Sequence, residues 1–118
     1  MAVTTKVRTA VQGGRSGGDQ REHCCSLYHR AVELVGKRWT GAIIMVLMDR
    51  GAARFSEVGA AVPELSDRLL SERMKELEAR GVVEKHVEGG RTIYRLTPMG
   101  QELRPAVAAL RAWAQRWL

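Results

Sequence analysis

Apolar residues recur at two different periods along this chain, and the switch between them marks its architecture. Leu27, Ala31, Leu34 and Val35 fall at i, i+4, i+7 and i+8, one face of a helix. Gly36 interrupts that pattern. Residues 39–48 are then nearly all apolar and stop at Asp49-Arg50-Gly51. Their length predicts a buried helix, although the Ile-Ile-Met-Val run also fits a strand by composition. Ser56 is a candidate cap for a short helix over 57–62, which Pro63 ends. Ser66 caps the next, with Asp67 suited to the first-turn dipole. Leu70, Met74 and Leu77 recur there at helical spacing, and Gly81 is the stop. After Gly81 the period becomes two. Residues 82–87 and 91–96 read as strands joined by Gly89-Gly90, a hairpin turn pair. Thr97-Pro98 is an N-cap followed by an N1 proline and opens a last helix. Its apolar stripe is Leu103, Val107, Leu110, Trp113 (or Ala114) and Trp117.

That order is helix, helix, short helix, turn, helix, two-stranded hairpin, helix. It predicts a mainly α chain with a small two-stranded β-wing, a winged helix-turn-helix. Residues 1–22 contrast with the rest. They are rich in Gly and polar residues without an apolar period, and read as a flexible basic arm ahead of a 23–118 domain. The chain has 118 residues, room for a single core. Its longest apolar run is too short to span a bilayer and its start lacks a signal-peptide core, so a cytoplasmic location without membrane attachment is expected.

Charge narrows the function. Nineteen Lys and Arg stand against thirteen Asp and Glu, a net +6. The arm holds four basic and two acidic residues, so most of the excess lies in the domain and favours a polyanionic partner. On a helical wheel Arg68, Glu72, Lys75 and Ala79 lie opposite Leu70, Met74 and Leu77, with Ser71 on the flank. Arg pairs with guanine, Ser bonds base edges or phosphate, and Glu accepts from cytosine. An ordinary solvated helix face is the plain alternative. Arg91 and Thr92 at the hairpin tip, with Lys85 and His86, suit a wing lying on the backbone or in the minor groove, although Glu84 and Glu88 dilute the charge and a plain solvent hairpin is the alternative. Lys37, Arg38 and Arg54 are further phosphate candidates, and the hydroxyls of Ser56 and Ser66 complete the expected DNA-facing set.

No Gly-rich phosphate loop, HExxH or Ser/His/Asp arrangement is visible, so no enzyme and no cofactor are expected. A thiol enzyme using Cys25 with His29 lacks an oxyanion site. A winged-helix protein-interaction module without DNA binding remains the alternative function. Zinc is not expected, because Cys24, Cys25, His23 and His29 lack ligand spacing. A disulfide between neighbours Cys24 and Cys25 would be strained. Near Arg21 and His23, at a helix N-terminus, a thiol would have a lowered pKa. Tyr28, His29, Trp39 and Trp113 are candidates for an effector pocket, against the plainer reading of large aromatics as core or interface anchors.

The chain resembles HxlR-type, MarR-like bacterial transcriptional regulators. The resemblance rests on Cys25, Gly36-Lys37-Arg38-Trp39-Thr40, Arg54-Phe55-Ser56-Glu57, Leu65-Ser66, Leu70 to Glu78, Gly81-Val82-Val83, Tyr94-Arg95-Leu96-Thr97 and Gly100. It differs in a wing tip without proline and in Cys24-Cys25-Ser26 where a Cys-Pro pair usually stands. The resemblance implies a homodimer on a pseudo-palindromic double-stranded operator, with the helix from Ser66 as recognition helix. It places the last helix at the dimer interface. Leu27, Leu103, Val107, Leu110, Trp113 and Trp117 are the expected interface residues. Some relatives of this kind sense oxidants or electrophiles through that cysteine, which makes Cys25, or Cys24, a candidate sensor against the plainer reading of a structural cysteine packed on the dimer partner; a small molecule is the other candidate effector. The operator, the regulated genes, the sign of regulation and the signal are not written in the sequence.

Overall fold

In a computed structural model the described residues are 17–118, with side chains from Cys25 onward. The chain divides into two compact units between Lys37 and Arg38.

The first unit contains α1, Gly17–Val35. It begins inside the stretch read as an arm, and residues 1–16 of that arm lie outside the described residues. No helix breaker stands between Asp19 and Val35, so the helix extends well before the first apolar repeat. Cys25 is therefore mid-helix rather than at a helix N-terminus, where it was expected. The helix ends at Gly36, whose N–H donates to Val32 O at 2.7 Å. A Cβ on Gly36 would stand 2.6 Å from that oxygen, which is why the position suits glycine.

The second unit begins with a strained turn. Trp39 precedes α2 (Thr40–Arg50) with φ 75°, the one non-glycine residue at positive φ among those described. A bulky residue held there costs on the order of 1–3 kcal/mol, so its surroundings must impose it. α2 is the buried helix expected, with Ile43, Ile44 and Leu47 essentially inaccessible. The strand reading of this run fails because its apolar residues fill successive helical turns.

α3 (Phe55–Ala61) is capped differently from expectation. Its N-cap is Arg54, not Ser56, and Glu57 Oε1 accepts the Arg54 N–H at 2.8 Å. The helix starts two residues early because the acceptor comes from inside its own first turn. α4 (Asp67–Ala79) follows after a four-residue connection beyond Val62, and Ser66 Oγ accepts the Leu69 N–H at 3.2 Å, the cap expected. Its end is a Schellman motif: Gly81 N–H donates to Glu78 O and Val82 N–H to Leu77 O, with Gly81 at φ 81°.

β1 (Val83–Glu88) pairs antiparallel with β2 (Arg91–Leu96), from Val83 opposite Leu96 to Glu88 opposite Arg91. Gly89 and Gly90 both have positive φ, which a two-residue hairpin loop of the I′ type requires. Ala53 adds a single bridge to Tyr94 at the other edge, through bonds of 3.0 and 2.8 Å. One bridged residue leaves no alternating pattern to detect.

The expected last helix is two helices. α5 (Pro98–Gln101) is capped by Thr97, and α6 (Arg104–Trp117) starts afresh. Pro105 explains the break: it has no N–H to donate back, and its ring clashes with the carbonyl four residues earlier. α6 is tied to the C-terminal end of α2 by Arg104 Nη2, 3.3 Å from Met48 O, and by Arg111 Nη1, 3.9 Å from Asp49 Oδ1. The core joins α2, α3, α4 and the base of the wing through Ile43, Ile44, Leu47, Val58, Leu70, Met74, Leu77 and Val82. Each large side chain among them contributes about 1.5–3 kcal/mol through burial. α6 buries none of its residues in the single chain.

Candidate nucleic-acid interface

The packing of α4 decides which side chains it offers. Leu70, Met74 and Leu77 are buried, so Arg68, Glu72 and Lys75 are turned outward, all three exposed. Ser71 is half-buried on the flank. Arg68 is the most extended of the set, its side chain 90% exposed, with Nε 3.6 Å from Glu72 Oε2. An exposed pair of this kind is worth little in water, so Arg68 can exchange its partner readily. Lys75 has no ion pair among the described residues. Ser66 Oγ already accepts the Leu69 N–H, which leaves its hydroxyl hydrogen as a donor for phosphate.

The flanking cations differ in how committed they are. Arg54 Nη2 lies 3.6 Å from Glu57 Oε2, and Arg50 Nη2 lies 3.3 Å from the same oxygen. The Arg54 backbone N–H holds the Glu57 carboxyl below the usual range, and the charges of Arg54 and Arg50 add to the effect. Arg54 is thus partly neutralised, while Ser56, released from capping, is exposed at the start of α3. Arg38 is exposed and its guanidinium lies 5.2 Å from the Trp39 ring centroid, a cation–π contact. Lys37 is exposed at the end of the first unit.

In the wing, the ion pairs lie away from the tip. Glu84 Oε2 is 3.0 Å from both His86 Nε2 and Arg95 Nε. The His86 contact first, and then the hydrogen bond from Arg95, lower the Glu84 pKa. Lys85 Nζ reaches Glu78 of α4 at 4.0 Å, linking the first strand to the helix. The basic bias read at Lys85 and His86 is therefore offset by their acidic neighbours. Arg91 and Thr92 remain exposed at the tip.

This arrangement of helices and wing matches known proteins. The HxlR-like helix-turn-helix family matches residues 34–118. The chain belongs to that family. YvaP of Bacillus subtilis (strain 168), an uncharacterized HTH-type transcriptional regulator, is 42% identical over 97 residues, which cover 80% of this chain and 89% of that protein. The HTH-type transcriptional regulator YodB of the same organism is 41% identical over 96 residues, covering 79% and 85%. The reduced form of YodB superposes with a TM-score of 0.69 over 75% of this chain and 89% of that one; quinone-bound and diamide-treated forms match at 0.68 and 0.65. The redox regulator HypR in its reduced form reaches 0.71 at 28% identity, over 75% of this chain and 90% of that one. YvaP and YodB are regulators of transcription rather than enzymes.

HxlR-like membership gives the two exposed apolar surfaces a context. On α6, Leu110, Trp113 and Trp117 are 67%, 53% and 63% exposed. Leu103 and Val107, expected beside them, are half-buried instead. On α1, Leu27 is exposed, as are Tyr28 and His29, whose rings lie 6.5 Å apart. Tyr28 and His29 belong to the first unit, and Trp39 and Trp113 to the second. Cys25 is a free, exposed thiol on α1, while the side chain of Cys24 lies outside the described residues. Among the described residues no helix is long and apolar enough to cross a membrane.

Sequence reasoning passed over Arg73. It stands at i+3 from Leu70 and i−4 from Leu77, within the inward stripe, and a charge at such a position must find a partner. That spacing was the available signal.

Proposed function

We propose that this chain is a homodimeric transcriptional regulator that reads a pseudo-palindromic DNA operator with α4. The observation that carries the reading is the outward row Arg68, Glu72 and Lys75, with Ser71 on its flank, backed by the buried Leu70, Met74 and Leu77. A rigid helix with such a row fits the major groove, where Arg reads guanine and Glu reads cytosine. Lys37, Arg38, Arg54, Ser56 and Ser66 supply phosphate contacts, and Arg91 and Thr92 place the wing tip on the flanking backbone. Two copies paired through the apolar face of α6 would set two α4 helices about 34–36 Å apart, one helical turn of DNA.

Titrating a fluorescent operator duplex tests it. Arg68→Ala is expected to weaken specific binding by about 1–3 kcal/mol and to relax one operator position. An unchanged base preference would overturn the role of α4.

A thiol signal is the second reading, favoured by the exposed Cys25 and by the reduced, quinone-bound and diamide-treated structures of YodB. A quinone adds to a thiolate, and diamide oxidises two thiols, here Cys25 of each of two copies, to a disulfide between the copies while being reduced to the hydrazine. Either change on α1 would bias the geometry of the pair between two states. Diamide or a quinone is expected to release the unsubstituted protein from its operator and to leave Cys25→Ser bound. Equal release of both proteins would refute the role of Cys25.

A further inference from the structure

We propose that Arg73 is a positioning residue for DNA reading, a guanidinium that fixes the recognition helix against the turn leading into α2. This rests on the assignment of α4 as the recognition helix.

Arg73 does not face the same way as the DNA-reading row. Its side chain is 12% exposed, while that of Arg68 on the same helix is almost fully in solvent. Its Nε–H donates to Arg38 O at 3.0 Å, and its Nη1 lies 3.5 Å from Glu76 Oε1. One side chain thus joins α4 to a backbone carbonyl 35 residues earlier.

The acceptor is not an ordinary loop carbonyl. It belongs to the peptide that leads into Trp39, the residue at φ 75°. The Arg38 side chain, a phosphate candidate, lies over the Trp39 ring, and Trp39 O accepts the Ile43 N–H at 3.0 Å at the start of α2. The left-handed turn and the hydrogen bond from Arg73 therefore constrain the same peptide.

Apolar packing through Leu70, Met74 and Leu77 sets how deep α4 sits, but it is non-directional. A helix held only in that way can turn or slide by a fraction of a residue at little cost. A planar guanidinium bonded to a fixed carbonyl is directional and charge-assisted. It sets the rotation and axial position of α4 relative to Arg38. Base reading by Arg68 and Ser71 and phosphate contact by Arg38 then belong to one rigid frame. Removing the bond should harm discrimination between sequences more than overall attraction to DNA, because the exposed cations stay in place.

The test uses Arg73→Met, which keeps the stem and removes the donor, with binding measured to the operator and to an unrelated duplex. The specificity ratio is expected to fall about tenfold, the cost of roughly one misread base pair. Affinity for the unrelated duplex and its salt dependence should hold. On the Arg73→Met background, Arg68→Ala should cost far less than in the unsubstituted chain, since coupled parts of one frame are not additive. A merely structural role would lower the melting temperature and scale both affinities together. Arg73→Lys keeps a donor without the planar fork and should restore part of the ratio. A folded Arg73→Met variant with an unchanged ratio, or an additive pair, overturns the proposal. If that variant fails to fold, Arg73→Lys decides: an unchanged ratio overturns it and a reduced ratio supports it. If Arg68→Ala acts as expected while the Arg73 variants do not, only this inference falls. If Arg68→Ala has no effect on base preference, the reading of α4 falls with it.

Discussion

Trp113→Asp is expected to convert the protein to a monomer at micromolar concentration and to reduce operator affinity by on the order of 10²-fold or more. The argument starts from α6, which buries none of its residues although it carries Leu110, Trp113 and Trp117 and is followed by Leu118. Exposed aromatics that cluster on one helix are a usual mark of an interaction surface, and Trp is a frequent hot spot. In a symmetric pair each copy meets the same helix of its partner, so one substitution places two carboxylates in the interface. The charges would have to be desolvated without partners, which disfavours association strongly. On the proposed reading operator binding would depend on the same surface, because two half-sites held together gain from effective concentration and one half-site does not. Sedimentation velocity reads the first effect, and titration of a one-half-site against a two-half-site duplex reads the second. A Trp113→Asp protein that still sediments as a dimer would remove α6 from the interface.

Much of this architecture is legible in the residues. Ser66 and Thr97-Pro98 announce their helices because a side-chain oxygen and a proline act locally, on the next few N–H groups. Gly89-Gly90 announces the hairpin because both residues need positive φ. The outward row of α4 follows from the spacing of Leu70, Met74 and Leu77. What escaped the sequence depends mostly on partners that local pattern does not reveal. Ser56 looks like a better cap than Arg54 until Glu57 is seen to accept the Arg54 N–H. Glu84 dilutes the basic wing already in the sequence, but that Lys85 reaches Glu78 on the preceding helix shows only in the structure. The break at Pro105 was a local signal that the long apolar stripe of the last helix obscured. Periodicity reports which side of a helix is buried; it is silent on which carbonyl an inward arginine will meet, and so the bond from Arg73 to Arg38 needed the structure.

The same chemical change, glycine to alanine, is expected to act with opposite signs at Gly100 and Gly59. Gly100 is buried within α5, where a Cβ would collide with Val82 O and stand 3.1 Å from Leu96 Cδ2. The carbonyl has little freedom to retreat. It accepts the Thr97 N–H at 3.0 Å, and Thr97 Oγ1 in turn accepts the Gly100 N–H at 3.1 Å. The added methyl must therefore push apart α5 and the strand base at Val82-Val83, an overpacking that costs about 1–3 kcal/mol. At about 4–8 °C per kcal/mol for a domain of this size, the melting temperature should fall visibly. Gly59 sits inside α3, where a Cβ would meet Leu70 Cδ2 at 3.7 Å and Asp67 Oδ1 at 3.8 Å, ordinary contact distances. There the alanine restricts the unfolded chain without strain and should stabilise by about 0.5–1 kcal/mol. Urea unfolding of the two variants measures both signs under one condition. Equal midpoints would mean that the contact between Val82 and Gly100 is loose, and that the base of the wing is not clamped to α5 as its hydrogen bonds indicate.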